Sequence, residues 1–205
     1  MLRGRHLSKR RLYLVQTNGR YGENCYLPLS AGLLWAYARK FPEISDVYEA
    51  CDFLYVKEPI ADAVNRLQEP DLLAVSCYIW NWEWTKAFVR AVKERWPSVV
   101  VLAGGVHIYD ESTRTLDENP DFDFAIYGEG EGAFAAFLRE HAKSEPDYSV
   151  CGSLIWRTGN STRVNKRIAF TDLKEIPSPY LDGVFDGIWS RERRWQPLFE
   201  TNRGC

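Results

Sequence analysis

Apolar, β-rich segments alternate with helix-forming segments through residue 140, and this alternation limits the folds that the chain can adopt. The strands are predicted at 11–17, 46–50, 71–76, 98–103 and 122–127, and the main helices at 29–40, 59–68, 82–95 and 129–140. Strands that alternate with helices in this way are typical of a parallel sheet covered by helices on both faces. We therefore expect an α/β fold with a doubly wound, five-stranded parallel sheet.

The pattern changes after residue 145. Residues 151–168 show apolar alternation, then a Thr-Gly-Asn-Ser turn and a basic strand, which predicts a β-hairpin. Residues 172–182 contain two prolines and are predicted to form an extended linker. We divide the chain accordingly into an α/β domain at 1–145, a hairpin with its linker at 146–200, and a separate short segment at 201–205.

Composition argues against several classes of protein. The net charge is −2 and the basic clusters lack an aromatic RNA-binding motif, so we expect no nucleic-acid partner. No apolar run approaches the ~20 residues that span a bilayer, and no signal-peptide core follows the basic start. We therefore expect a cytoplasmic protein with no membrane partner. The five cysteines form no C-x-x-C pair, which argues against a disulfide framework or a zinc site within the chain.

Ligands of doubly wound sheets bind beyond the carboxyl ends of the strands, so the candidate site lies in the loops that follow them. The candidate ligand-binding residues are Thr17, Asn18, Gly19 and Gly22 after the first strand, Ser76, Cys77, Tyr78 and Trp80 after the third, Gly104, Gly105, Val106 and His107 after the fourth, and Tyr127, Gly128, Glu129 and Gly130 after the fifth. Glycine allows a ligand to approach the backbone closely, and a hydroxyl such as that of Ser76 can hydrogen-bond it. The first loop does not match G-x-G-x-x-G, and we find neither a P-loop nor a Ser/His/Asp array.

Several of these residues also have ordinary structural interpretations. Gly104 and Gly105 are equally suited to tight packing between a strand and a helix. Tyr78 and Trp80 are consistent either with a wall for a large planar ligand or with core packing. His107 is interpreted as a hydrogen-bonding loop residue in preference to a metal ligand.

Three short motifs occur in a characteristic order. They are Gly104-Gly105-Val106-His107, Gly128-Glu129-Gly130-Glu131 and, at the end of the chain, Asn202-Arg203-Gly204-Cys205. This order resembles the cobalamin-dependent radical S-adenosylmethionine (SAM) proteins, which typically carry G-G-P-H, G-E-G-E and an N-R-G-C that opens a C-x-x-x-C-x-x-C cluster motif. The resemblance spans essentially the whole chain, and the combination is more specific than any single motif.

The resemblance implies a flavodoxin-like (Rossmann-like) domain that binds cobalamin at the carboxyl edge of its sheet. Ser76, Gly104 and Gly105 would then lie beside the dimethylbenzimidazole tail. It also implies that Cys205 is the first cysteine ligand of a 4Fe-4S cluster, and that 201–205 begins a radical SAM domain whose remainder is the partner of this chain.

For the intact protein, the resemblance implies a methyltransferase that uses cobalamin, the 4Fe-4S cluster and SAM. Its substrate would be a small molecule or peptide methylated at an unactivated carbon. In this chain no side chain is a convincing general acid, general base or nucleophile. The fragment is therefore expected to bind cofactor without catalysing a reaction.

Two positions depart from related patterns. Cobalamin proteins of the methionine synthase and mutase type carry D-x-H-x-x-G after the first strand, and that histidine ligates cobalt. Gly22 matches the glycine of that motif, but Gly19 stands where the histidine would be. The resemblance therefore implies cobalamin bound base-off without a histidine ligand. Val106 stands in place of the usual proline of G-G-P-H.

Other functions stay open at this point. A free-standing corrinoid carrier or sensor would share the pocket and lack the chemistry. A Rossmann-like nucleotide-binding domain would bind a nucleotide and not cobalamin. An α/β interaction domain would bind no small ligand at all.

Overall fold

A computed structural model describes residues 8–18, 23–169, 171–189 and 194–200 of the chain. The strands are β1 (Arg10–Asn18), β2 (Asn24–Tyr26), β3 (Tyr48–Ala50), β4 (Leu54–Val56), β5 (Leu72–Ser76), β6 (Val100–Gly104), β7 (Phe124–Ile126), β8 (Leu154–Thr158), β9 (Ser161–Val164) and β10 (Arg194–Gln196). The helices are α1 (Leu29–Ala38), α2 (Pro42–Ser45), α3 (Ile60–Asn65), α4 (Trp82–Arg95), α5 (Arg114–Asp117) and α6 (Glu131–His141).

The central sheet has the order β3-β1-β5-β6-β7-β8-β9, and β4 also pairs with β1. The strands from β3 to β7 in this order run parallel to one another. Because β3 and β4 both pair with the same side of β1, they count as one position, and the parallel part of the sheet has five positions. When these positions are numbered along the chain, their order across the sheet is 2-1-3-4-5. This is the flavodoxin-like order, and it confirms the predicted doubly wound sheet.

The second position of the sheet differs in detail from the predicted single strand at 46–50. Leu12 pairs with Ala50 and Val15 pairs with Leu54, so β1 advances three residues while its partner advances four. The additional residue interrupts the ladder, as a bulge does. It separates β3 from β4, each only three residues long, which is too short to show a periodic pattern in the sequence.

The predicted hairpin is confirmed, and it extends the same sheet. β8 pairs antiparallel with β7 on one side and with β9 on the other. Its two-residue loop contains Gly159 with a φ of +55°, a conformation that glycine adopts without steric cost.

Alternate residues of each strand enter hydrophobic cores on opposite faces of the sheet, as the two-residue period of a strand requires. In β1, Tyr13 and Val15 belong to the core beneath α3 and α4. Leu12 and Leu14 belong to the core beneath α1 and α6. The sheet is therefore covered by helices on both faces.

The helices confirm the four predicted segments, with ends that differ by a few residues. In α4 the buried side chains Trp84, Phe88 and Val92 repeat every fourth residue and face the sheet. α1 has no comparable polar face, because its outer side is also covered. A Cβ atom on Gly32 would overlap the ring of Phe185, so the later part of the chain packs directly against this helix.

The segment after the hairpin returns to the carboxyl edge of the sheet. Phe185 is fully buried against α1, and Arg39 beside that helix pairs with Asp182 at 2.6 Å between Nη2 and Oδ2. Further along, β10 pairs in parallel with β2, and the backbone N–H of Leu198 donates to the hydroxyl of Tyr180 at 3.1 Å. These contacts place residues 194–200 beside the loops that follow the strands.

Helices of the length and apolar character needed to cross a bilayer are absent from the described part of the chain.

Candidate functional site

A cavity of about 1020 Å³ lies at the carboxyl edge of the sheet, between the sheet and the helices α1 and α6. Its floor consists of apolar side chains from the strands β1, β5, β6 and β7, namely Leu14, Ala74, Leu102 and Ile126. Its walls include Leu33 and Leu34 of α1 and Phe134 of α6. The cavity therefore offers a mostly apolar space that is open at the loops.

Eight candidate residues line this cavity: Ser76, Tyr78, Gly104, Gly105, Val106, Gly128, Glu129 and Gly130. They come from loops after three different strands, and the parallel sheet brings them to one edge. Gly19, Gly22 and Cys205 lie outside the described residues. The structure thus brings together half of the sixteen residues that the sequence selects as cofactor-binding.

Gly105 holds the loops after β5 and β6 against each other. Its φ is +97°, and a Cβ atom there would lie 2.7 Å from the carbonyl oxygen of Cys77. The backbone N–H of His107 donates to that same oxygen at 3.1 Å. Close approach of the backbones of two loops therefore accounts for this glycine, in place of the packing between a strand and a helix considered from the sequence.

Tyr78 lines the cavity. Its hydroxyl lies 3.0 Å from the hydroxyl of Ser30 on α1, and its ring stacks on Trp80 at 4.5 Å between centroids. Burial raises the pKa of Tyr78 above its ordinary value. Trp80 itself is half exposed and lies outside the cavity lining.

Arg167, which sequence reasoning missed, also lines the cavity. Its guanidinium pairs with Asp110 at 2.7 Å and lies 5.1 Å above the ring of Tyr127. Gly128 has a φ of +73°, and a Cβ atom at this position would lie 2.5 Å from Nη1 of Arg167. Neighbouring Glu129 accepts a hydrogen bond from the backbone N–H of Thr171 at 3.2 Å, so both loop residues contact the segment after the hairpin.

Thr17 and Asn18 end β1 with two buried polar atoms. Among the described residues, Thr17 Oγ1 and Asn18 Nδ2 have no hydrogen-bond partner. Buried polar atoms are rarely left unpaired because desolvation is costly. Neither residue lines the cavity. Thr17 continues the side of β1 that carries Tyr13 and Val15, on the face opposite the cavity, and Asn18 continues the side that carries Leu12 and Leu14, on the cavity face.

The other candidate residues pack in the protein interior or on its surface. Cys77 and Tyr127 belong to the core on the opposite face of the sheet, and burial raises the pKa of the Cys77 thiol to about 12. The ring of His107 packs 4.8 Å from Trp82 and does not line the cavity. Within the described ranges, no group of His, Cys, Asp or Glu side chains is placed to hold a metal ion.

Sequence reasoning also missed the cavity residues of α1 and two residues after β10. Ser30, Leu33 and Leu34 have the spacing of a helical face, which is a detectable signal, although the sequence does not show whether that face meets a cavity or solid core. Phe199 and Glu200 also line the cavity. They lie far along the chain from every loop motif that lines it, and no local signal connects them with the site.

A doubly wound sheet with a large apolar cavity at its carboxyl edge defines the class of the protein as an α/β ligand-binding domain. A family model described as "B12 binding domain" matches residues 30–138, more than half of the chain. The chain belongs to this B12-binding domain family and is a cobalamin-binding domain.

Two relatives and one solved structure are among the proteins that resemble the chain along nearly its whole length. It is 38% identical over 201 residues to the cobalamin-dependent radical SAM methyltransferase TokK of Streptomyces tokunonensis, an alignment that covers 96% of this chain and 29% of TokK. It is 35% identical over 209 residues to 2-(S-pantetheinyl)-carbapenam-3-carboxylate methyltransferase of Streptantibioticus cattleyicolor, covering 97% and 29%. The chain thus spans less than a third of the length of these relatives.

The solved structure is the cobalamin-dependent SAM radical enzyme OxsB with aqua-cobalamin and SAM bound. It superimposes with a TM-score of 0.76 at 17% identity, over 96% of this chain and 27% of OxsB. At that identity the likeness supports the fold.

Proposed function

We propose that this chain binds cobalamin base-off, with the dimethylbenzimidazole tail in the cavity between the sheet and the helices α1 and α6. The main support for this proposal is the cavity. It is large, its floor is apolar, and glycines border it at the loops after β6 and β7. Pockets of roughly 300–1,000 Å³ bury ligands of drug size, and an aromatic base with its ribose fits within that range.

The polar atoms around the cavity also suit this ligand. The corrin ring of cobalamin carries amide side chains, which need hydrogen-bond donors and acceptors. Asn18 Nδ2, on the cavity face of the sheet edge but outside the cavity lining, is buried and unpaired among the described residues, and it can donate to an amide oxygen. Ser76 supplies a hydroxyl at the cavity wall.

We further propose that no histidine of the described region ligates the cobalt. Gly19 occupies the position at which the methionine synthase type carries its histidine. His107 is the histidine nearest the site in the loops, and its ring packs on Trp82 outside the cavity lining. His141 lies at the end of α6, where Nδ1 is 2.7 Å from the hydroxyl of Tyr148.

For the protein of which such a domain forms part, we propose radical SAM methyl transfer to an unactivated carbon. The support is the naming of both relatives as methyltransferases, one of them a cobalamin-dependent radical SAM enzyme, together with the Asn202-Arg203-Gly204-Cys205 sequence. Cys205 would supply one thiolate of a 4Fe-4S cluster that binds SAM. The cofactors supply the radical and methyl chemistry, and this domain binds and orients the cobalamin.

The test is a titration of the purified 205-residue chain with hydroxocobalamin, followed by desalting and an absorbance spectrum. We expect the corrin to co-elute with the protein and to show a base-off spectrum. If folded protein keeps no corrin but binds a nucleotide, the nucleotide-binding alternative replaces this proposal.

A His107→Ala variant tests the absence of a histidine ligand. Because the His107 ring lies outside the cavity lining, we expect the spectrum of bound corrin to match that of the unmodified chain. A shift of the cobalt bands in this variant would show that His107 reaches the metal.

A further inference from the structure

Asn81 stands at the start of α4, and its side chain makes no capping bond to that helix. Asparagine is favoured at this position because its side chain normally accepts a hydrogen bond from the first turn of the helix. Here the residue is 1% exposed, and its side chain turns away from α4. The ordinary reason for an asparagine at this position therefore does not apply.

The Asn81 side chain instead joins three backbone segments of the candidate site. Its Nδ2 donates to the carbonyl oxygen of Ser76 at 2.9 Å and to that of Thr17 at 3.3 Å. Its Oδ1 accepts a hydrogen bond from the backbone N–H of Tyr78 at 2.8 Å. One amide group thus connects the end of β1, the end of β5 and the loop that carries Tyr78.

These three contacts fix the end of β1, the end of β5 and the Tyr78 turn relative to one another. The backbone N–H of Asn81 also donates to the carbonyl oxygen of Tyr78 at 3.1 Å, so the turn that presents Tyr78 and Trp80 is closed by both the main chain and the side chain. Thr17 and Ser76, whose carbonyl groups accept from Nδ2, belong to the two strand ends that border the cavity edge.

We infer that Asn81 is a positioning residue for cobalamin: it touches no part of the cavity itself and sets the geometry of the loops that contact the ligand. This inference rests on the proposed binding of cobalamin by the chain. Without the amide, the two strand ends and the Tyr78 turn can move independently. The fraction of molecules with a binding-competent site then falls, and the apparent affinity falls with it.

The experiment compares Asn81→Ala with Asn165→Ala in the 205-residue chain, using hydroxocobalamin as the probe. Asn165 is a matched control because it also makes three side-chain hydrogen bonds, two from Nδ2 to Tyr148 and Cys151 and one from Trp156 to Oδ1, at the hairpin and outside the cavity lining. We expect both variants to lower the melting temperature. Only Asn81→Ala should raise the dissociation constant for hydroxocobalamin, by about tenfold or more, and change the spectrum of the bound corrin.

A second variant, Asn81→Asp, separates the two halves of the amide. It keeps the acceptor for Tyr78 and replaces the donor to Thr17 and Ser76 with an oxygen that repels their carbonyl groups. We expect the same loss of affinity as in Asn81→Ala.

Three outcomes would overturn the inference: wild-type affinity and spectrum in either folded Asn81 variant, an equal loss in Asn165→Ala, or failure of both Asn81 variants to fold while Asn165→Ala folds. Failure of the unmodified chain to retain hydroxocobalamin is a separate result, because it rejects the proposed function before any variant is compared.

Discussion

Glycine at position 105 illustrates how a single residue shapes the site. Its positive φ alone would disfavour most side chains, since left-handed backbone costs about 1–2 kcal/mol for a residue with a Cβ. The neighbouring carbonyl of Cys77, 2.7 Å from where that Cβ would be, adds a steric conflict. Two loops of the sheet edge can therefore meet only because this residue has no side chain.

A Gly105→Ala substitution should reveal both effects. We expect it to lower the free energy of unfolding by about 2–4 kcal/mol, from the backbone strain and the displaced Cys77 loop together. It should also weaken retention of hydroxocobalamin. Urea unfolding and the desalting assay measure the two quantities.

The control for that substitution is Gly159→Ala in the hairpin loop. Gly159 has a φ of +55° and no atom within 4 Å of its would-be Cβ, so it carries the strain without the contact. We expect a loss of about 1–2 kcal/mol and unchanged corrin retention. Equal losses in the two variants would show that the contact with Cys77 is unimportant.

At the residue scale, the sequence identifies site residues that directly follow predicted strands. It does not identify residues that reach the site only through tertiary packing. Gly105 and Gly128 are candidates because they follow strands, and both line the cavity. Arg167 escapes prediction because its approach to Gly128 depends on the path of the chain after the hairpin. Asn81 escapes it because an asparagine before a helix has a common local explanation that the structure does not support.

At the scale of elements, α1 has two roles that explain its unusual composition. One side presents Ser30, Leu33 and Leu34 to the cavity, and Gly32 receives the ring of Phe185 on another. A surface helix normally keeps a polar face. This helix lacks one because the sheet, the cavity and the segment after the hairpin surround it.

Truncation of the Phe185 side chain should therefore be costly. The residue is fully buried, and its ring also meets Tyr180 at 5.3 Å and Phe53 at 6.0 Å between centroids. We expect Phe185→Ala to lower the free energy of unfolding by about 3–5 kcal/mol, the usual cost of removing a buried phenyl ring. Leu181→Ala, in the same segment but largely exposed, should change it by less than about 0.5 kcal/mol. A small effect of Phe185→Ala in urea unfolding would show that this segment is not part of the folded unit.

His141 at the end of α6 gives the fold a pH dependence. A protonated histidine is usually favoured at a helix C-terminus, but burial, and secondarily the charge of Arg10, lower the pKa of His141 to about 4. Between about pH 6.5 and about pH 4 the unfolded chain binds a proton at this site and the folded chain does not. Stability from this group is therefore complete above about pH 6.5 and is lost as the pH falls toward 4, by roughly 2 kcal/mol after allowance for solvent screening.

Comparison with His141→Gln isolates this contribution from that of the carboxylates. Glutamine does not titrate, so the free energy of unfolding of the variant should fall less steeply between about pH 6.5 and about pH 4. Parallel profiles for the two proteins would contradict the assigned pKa. The variant also loses the stacking of His141 on Phe137, which lowers its stability at all pH values without changing the slope.

At the scale of the whole molecule, the alternation of strands and helices is sufficient to predict the doubly wound sheet, because short right-handed crossovers leave few alternatives. The strands β2 and β10 are not predictable. Each has three residues, and they pair across most of the length of the chain, so neither periodicity nor local turn chemistry indicates them. Their pairing is nevertheless what brings the last described segment to the cavity.

Phe199 lies in the segment 194–200, which the pairing of β10 with β2 brings to the cavity. Its substitution tests whether this segment takes part in binding. Phe199 lines the cavity, yet its side chain is 78% exposed, so it contributes little to folding in the absence of a ligand. An exposed aromatic side chain beside an apolar cavity gains most when a ligand covers it, since apolar area then leaves water. We expect Phe199→Ala to leave the free energy of unfolding within about 0.5 kcal/mol of the unmodified chain and to weaken hydroxocobalamin binding several-fold.

Val150→Ala is the matched control for Phe199→Ala. Val150 is 64% exposed and lies in the turn before β8, outside the cavity lining, so its truncation should affect neither quantity. Both residues are largely exposed apolar side chains, and they differ in their position relative to the cavity. Weaker hydroxocobalamin binding in Phe199→Ala alone would therefore assign residues 194–200 to the binding site. Equal binding in both would limit the site to the sheet edge, α1 and α6, and would leave residues 194–200 with a purely structural role through the pairing of β10 with β2.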